Sequence, residues 1–91
     1  MLTLNSIVHR NEKIPCRLIE NEGIIVDVEH NNIVQLNEVA AFIWKNIEKK
    51  KTVDKIVDCI YDSFEIEKKM AEKDTLDFLN KLLEKGFILV K

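Results

Sequence analysis

Few residues in this chain could carry out chemistry, and none forms a recognisable catalytic set. His9 falls in an N-terminal tail and His30 in a short loop, and neither has an evident partner near it in sequence. Cys16 and Cys59 form neither a C-x-x-C pair nor a zinc pattern, so both read as reduced thiols. A nucleophilic Cys59 would need a base or cation beside it to make thiolate. The nearest by sequence is Lys55, one helical turn away. Glycine occurs only at positions 23 and 86, too few for a phosphate-cradling loop. The carboxylates Asp58, Asp62, Glu65, Glu67, Glu72, Asp74 and Asp77 alternate with Lys68, Lys69 and Lys73. That mixture marks a solvated face rather than an acid–base pair. The sequence therefore predicts no enzyme, no cofactor and no metal.

Composition points the same way. Ninety-one residues, 46% of them hydrophobic, suffice for one small domain over 1–91. No apolar run is long enough to span a bilayer, and no signal peptide opens the chain, so a cytoplasmic location is expected. A net charge of −2 argues against general affinity for nucleic acid.

The first half reads as strands and the second as helices, which predicts an α+β fold. Strands are expected over 16–20, 24–28 and 33–36. Asn21-Glu22-Gly23 and Glu29-His30-Asn31-Asn32 are the turns between them. Ile24, Val26 and Val28 are expected on one face of the second strand, with Asp27 and Glu29 on the other. Asn37 suits a helix N-cap before a helix over 38–48, closed by Lys49-Lys50-Lys51. Thr52 suits a second cap. Val53, Ile56, Val57, Ile60, Tyr61 and Phe64 then follow at helical spacing. A third helix is expected over 67–85, stopped by Gly86, with a final strand at Phe87-Ile88-Leu89-Val90. Trp44 reads as a core anchor of the first helix. The overall expectation is a winged helix-turn-helix-like fold, a three-stranded antiparallel sheet followed by three helices.

The third helix carries more apolar surface than one contact needs. Ala71, Thr75, Phe78, Leu79 and Leu82 make one face, while Leu76 and Leu83 lie about 100–120° from its centre. Either the sheet covers these two leucines, or they line a groove beside the edge strand Ile33–Leu36. An extended peptide could fill such a groove by strand addition.

The run Gly23-Ile24-Ile25-Val26-Asp27 is followed by Ile33-Val34-Gln35-Leu36-Asn37-Glu38-Val39-Ala40-Ala41-Phe42-Ile43-Trp44, then Thr52-Val53-Asp54-Lys55-Ile56-Val57. With the closing Gly86-Phe87-Ile88, these segments resemble the PqqD-like proteins, over roughly Val8 to Val90. Members of that family, the recognition elements of ribosomally made, modified peptides, hold a precursor's leader and present it to a modifying enzyme. The resemblance implies a peptide-binding site on Ile33, Val34, Gln35 and Leu36, and on the Lys73, Leu76, Asp77, Asn80 and Leu83 side of the third helix. It implies a precursor leader peptide as partner, with a modifying enzyme that brings any cofactor, most often a radical S-adenosylmethionine enzyme, or a protease or cyclase in lasso-peptide systems. Two readings stay open beside it. One is a winged-helix DNA-binding regulator, which the mixed charge of the third helix disfavours. The other is a homodimer that buries the Leu76–Leu83 stripe.

Overall fold

A computed structural model describes residues Met1–Lys91. In chain order it contains β1 (Ile7–Arg10), β2 (Cys16–Ile19), β3 (Glu22–Asp27), β4 (Asn32–Leu36), α1 (Glu38–Asn46), β5 (Lys51–Thr52), α2 (Val53–Ser63), α3 (Lys68–Glu84) and β6 (Ile88–Val90). The expected α+β class and the antiparallel β2-β3-β4 sheet are present. So is a second antiparallel sheet, ordered β5-β1-β6, that the sequence reading lacks. The strands do not simply precede the helices. β1 is the central strand of the second sheet, pairing Val8 with Lys51 on one side and with Val90 on the other. His9 is thus a strand residue and not part of a loose tail.

In the first sheet, β2 and β3 join through a two-residue turn, Glu20-Asn21, with Glu20 at φ 54°. The turn lies just before the expected Asn21-Glu22-Gly23. Ile24, Val26 and Val28 do share one face of β3, and it is the outer one. Ile25 and Asp27 are buried, whereas Ile24 and Val26 are only partly covered and Val28 is exposed. Gly23 shares that inward face. A Cβ there would come within 2.5 Å of the end of the Leu18 side chain and 3.2 Å of the Arg17 carbonyl oxygen, so a larger residue would push Leu18 off the strand.

The helices begin where the caps predict. The Asn37 side chain accepts from Ala40 N–H at 2.9 Å, and the Thr52 hydroxyl accepts from Lys55 N–H at 3.3 Å. Two further first-turn donors of α2 find distant acceptors: Val53 N–H donates to Ser6 C=O at 2.9 Å and Asp54 N–H to Leu4 C=O at 3.0 Å. α1 stops at Asn46 rather than Glu48, because Lys51 is drawn into β5. α3 ends in a Schellman motif. Gly86 (φ 75°) donates to Leu83 C=O at 3.0 Å, and Phe87 donates to Leu82 C=O at 2.9 Å.

Val53, Ile56, Val57 and Ile60 of α2 are buried as their spacing predicts, but Tyr61 at the end of that pattern is exposed. They meet Ala71, Leu79 and Leu82 of α3 in one core with Trp44, Phe87 and Ile88. Each such side chain contributes roughly 1.5–3 kcal/mol by leaving water. Trp44 is fully buried, as expected for an anchor. Arg10 lies over its ring at 5.1 Å and donates from Nε to its backbone C=O at 2.8 Å.

Candidate functional site

The site begins with the free side of β4. In an antiparallel ladder, alternate residues turn their peptide groups toward and away from a given neighbour. Val26 N–H donates to Pro15 C=O at 2.9 Å, so the Val26 peptide groups face β2 and not β4. Ile33, opposite Val26, and Gln35, opposite Ile24, therefore turn their N–H and C=O groups outward. No hydrogen bond within the molecule reaches these groups.

The side chains alternate in step. Val34 and Leu36 point into the core, while Ile33 is 58% exposed and Gln35 is exposed. The strand has an apolar inner face, a mixed outer face and an open backbone between them.

This edge differs from the other three. β2 carries Arg17 between Pro15 and Glu20, β5 is two residues long and includes Lys51, and β6 is three residues long with Lys91 after it. Short length, charge and proline are how proteins keep sheet edges from pairing with foreign strands. From Asn31 through Asn37 there is no charge and no proline.

On α3, Leu76 and Leu83 are half-buried and pack against the core, so the molecule itself covers part of the surplus stripe. Lys73 and Asp77 form an exposed ion pair at 3.8 Å. A pair of that kind is worth between about 0 and 1 kcal/mol. The Asn80 carbonyl oxygen accepts from Leu2 N–H at 3.0 Å, so the N-terminal segment already occupies part of this helix face. An open depression of about 480 Å³ there is lined by Met1, Asp77, Asn80, Lys81, Leu83 and Glu84.

At β4 a larger depression, about 690 Å³, lies on the outer sheet face between Arg17, Ile24, Gln35 and Glu38. The two depressions share no residue. The structure thus brings Ile33–Leu36 together as one edge and Lys73, Leu76, Asp77, Asn80 and Leu83 together as one helix face. It shows no joint pocket of substantial size between them.

Sequence reasoning missed what holds the start of β4. Asp27 is only 4% exposed, and it accepts from His30 N–H at 3.2 Å and from the His30 ring at 2.9 Å. His30 therefore has a partner three residues away, contrary to the reading of a lone loop histidine. Its ring is otherwise solvent-facing. Burial works against the Asp27 charge. Hydrogen bonds from the His30 ring and backbone, with the nearby positive charges of His30 and Lys85, outweigh it and hold the carboxyl below its ordinary value.

The sign of the resulting pH dependence follows. The native state keeps its proton off more readily than the unfolded chain. The stabilisation is therefore full above the ordinary carboxylate pKa and is lost as pH falls through the lowered native value. Thermal melts of the parent chain should show this loss on the acid side, setting in as pH falls below about 5. Asp27→Asn should lower the melting temperature at neutral pH and flatten that acid limb. An unchanged limb would mean the carboxylate carries none of it.

Cys16 is exposed and Cys59 partly so, and both are unpaired. No three His, Cys, Asp or Glu side chains are grouped to hold a metal ion, and no helix is long and apolar enough to cross a membrane.

Among solved structures, the fold is similar to that of TbiB1 in complex with the TbiA(beta) leader peptide. The TM-score is 0.78 and the sequences are 24% identical, over 88% of this chain and 93% of that one. No curated protein sequence matches the chain. Residues 22–88, from β3 into β6, match the sequence profile of coenzyme PQQ synthesis protein D, and the chain belongs to this PqqD family.

Proposed function

We propose that this protein binds the leader segment of a ribosomally synthesised precursor peptide by strand addition to β4 and delivers it to a modifying enzyme. The whole chain, 1–91, acts as one cytoplasmic binding unit and performs no chemistry. The enzyme it serves is a radical S-adenosylmethionine enzyme, which supplies the cofactor. In this reading the β3–β4 hairpin and the helices after it work as a winged helix-turn-helix-like cradle. The observation that carries the proposal is the unguarded β4 edge, with the peptide groups of Ile33 and Gln35 free to pair. The likeness to a protein solved with a leader peptide supports it.

Magnitudes say where the affinity comes from. Four backbone hydrogen bonds contribute about 2–6 kcal/mol at roughly 0.5–1.5 kcal/mol each. Ordering a disordered leader costs about 2–5 kcal/mol. Pairing alone therefore fixes register but falls short of the roughly 8 kcal/mol that micromolar binding needs. Apolar leader side chains must supply the rest, against the exposed Ile33 and half-buried Val34 of β4 and the half-buried Leu76 and Leu83 of α3. A duplex-binding role draws no support from the helix surfaces, where Lys73 is paired with Asp77 and Lys68 with Asp58.

The test is Gln35→Pro. The Gln35 N–H points away from β3, so its removal leaves the β3–β4 ladder whole, and proline is tolerated on that side of an edge strand. Calorimetric titration with the leader segment of a candidate precursor peptide should show at least about a tenfold loss of affinity. Circular dichroism should stay native. Val34→Pro, which removes an N–H directed at β3, should instead lower the melting temperature. Undiminished affinity in Gln35→Pro rules out strand addition at β4.

A further inference from the structure

The outward groups of β4 have a two-fold pattern. We infer that the same edge also pairs with a second copy of this chain, forming a symmetric dimer that excludes the leader. This rests on the reading of β4 as the leader's pairing edge. The free N–H and C=O groups sit on Ile33 and Gln35, either side of Val34, whose own peptide groups are used by β3. Two copies run antiparallel about an axis through Val34 place Ile33 of each opposite Gln35 of the other. All four free groups of one copy then meet those of its mate, with Val34 facing Val34 as the intervening wide pair.

Charge favours the same register. No charge lies between Asn31 and Asn37, so no like charges meet along the seam. Beyond the strand ends, this register carries the exposed His30 of one copy toward Glu38 of the other. The outer-face residues Ile24, Val26 and Ile33 of the two copies join into one apolar surface across a six-stranded sheet. Every other sheet edge in the molecule is short or charged and so is guarded against such pairing. The contact is one strand wide, so the dimer is weak and concentration-dependent, as expected for a small interface. A copy paired in this way has no edge left for a guest, so unloaded protein is stored as dimer and released by leader.

Sedimentation velocity of the full chain without peptide, from about 10 µM to about 1 mM, should show mass rising from one chain toward two. Gln35→Pro should weaken that association at least tenfold. In a Cys16→Ser, Cys59→Ser background, Val34→Cys should give a disulfide-linked dimer on mild oxidation, because the wide antiparallel pair brings the two Cβ atoms close. Leu89→Cys on β6 should not. Mass that stays at one chain throughout, or association undiminished by Gln35→Pro, overturns the dimer. Such a result leaves leader binding standing, since no peptide is present. A chain that dimerises through Val34 yet ignores the leader sinks the leader reading alone.

Discussion

Removal of residues 1–10 should abolish cooperative unfolding altogether. The segment lies wholly before the stretch that matches the PqqD profile, yet the structure depends on it in three ways. Val8, fully buried, sits on the strand that joins β5 to β6. Leu2 is also buried, and Leu4 packs against the same core. Leu4 and Ser6 supply backbone acceptors for the first turn of α2. Burial of Leu2 and Val8 alone is worth on the order of 3–6 kcal/mol at about 1.5–3 kcal/mol each, and the partly buried Leu4 and Ile7 add to it. The whole stability of a domain is about 5–15 kcal/mol. Far-ultraviolet circular dichroism in a urea titration should therefore show a shallow, non-sigmoidal change for the truncated chain. A sigmoidal transition with a urea midpoint close to the parent's would show that β1 is dispensable.

The second large effect is expected at Trp44. Trp44→Ala leaves a cavity at a fully buried position and deprives Arg10 of the ring it lies against. Large-to-small changes of this kind cost about 3–5 kcal/mol, most of what a domain of this size has. Trp44→Phe should cost clearly less. The indole N–H is buried without a hydrogen-bond partner, so its removal relieves a penalty while most of the volume stays. Urea midpoints for the two variants measure the difference. An alanine variant that loses less than about 1 kcal/mol would contradict the packing described for α1.

The parts legible in the sequence are those fixed by neighbours along the chain. Asn37, Thr52 and Gly86 announce helix ends through local chemistry, and each does what its type suggests. The core face of α2 follows from a period that four apolar residues repeat. β3 defeats the same reasoning, because Ile24-Ile25-Val26 is apolar on both faces and leaves the phase to Asp27. An aspartate is expected outside. This one lies inside because a histidine three residues on completes its hydrogen bonds. β1 and β5 were invisible for another reason. Four residues and two residues hold no periodicity, and their stability comes from partners far away in sequence.

The candidate site divides along the same line. The β4 edge could be read from a hairpin with one neighbour and a stretch free of charge. On α3, helical spacing placed Leu76 and Leu83 beside each other but could not show what covers them. The hold of Leu2 on Asn80 links residues at opposite ends of the sequence, and no local pattern signals it.

The β1–β6 pairing also sets a schedule for biosynthesis. Val8 is opposite Val90, so its strand must wait for the intervening residues to be translated before it finds its second neighbour. At about 5–20 residues per second that delay is roughly 4–16 s. Throughout it, the flank of β1 that will meet β6 has nothing alongside, although β5 is already made. The growing chain is open to clumping along that flank, and a holding chaperone would find its target on Ile7–Arg10.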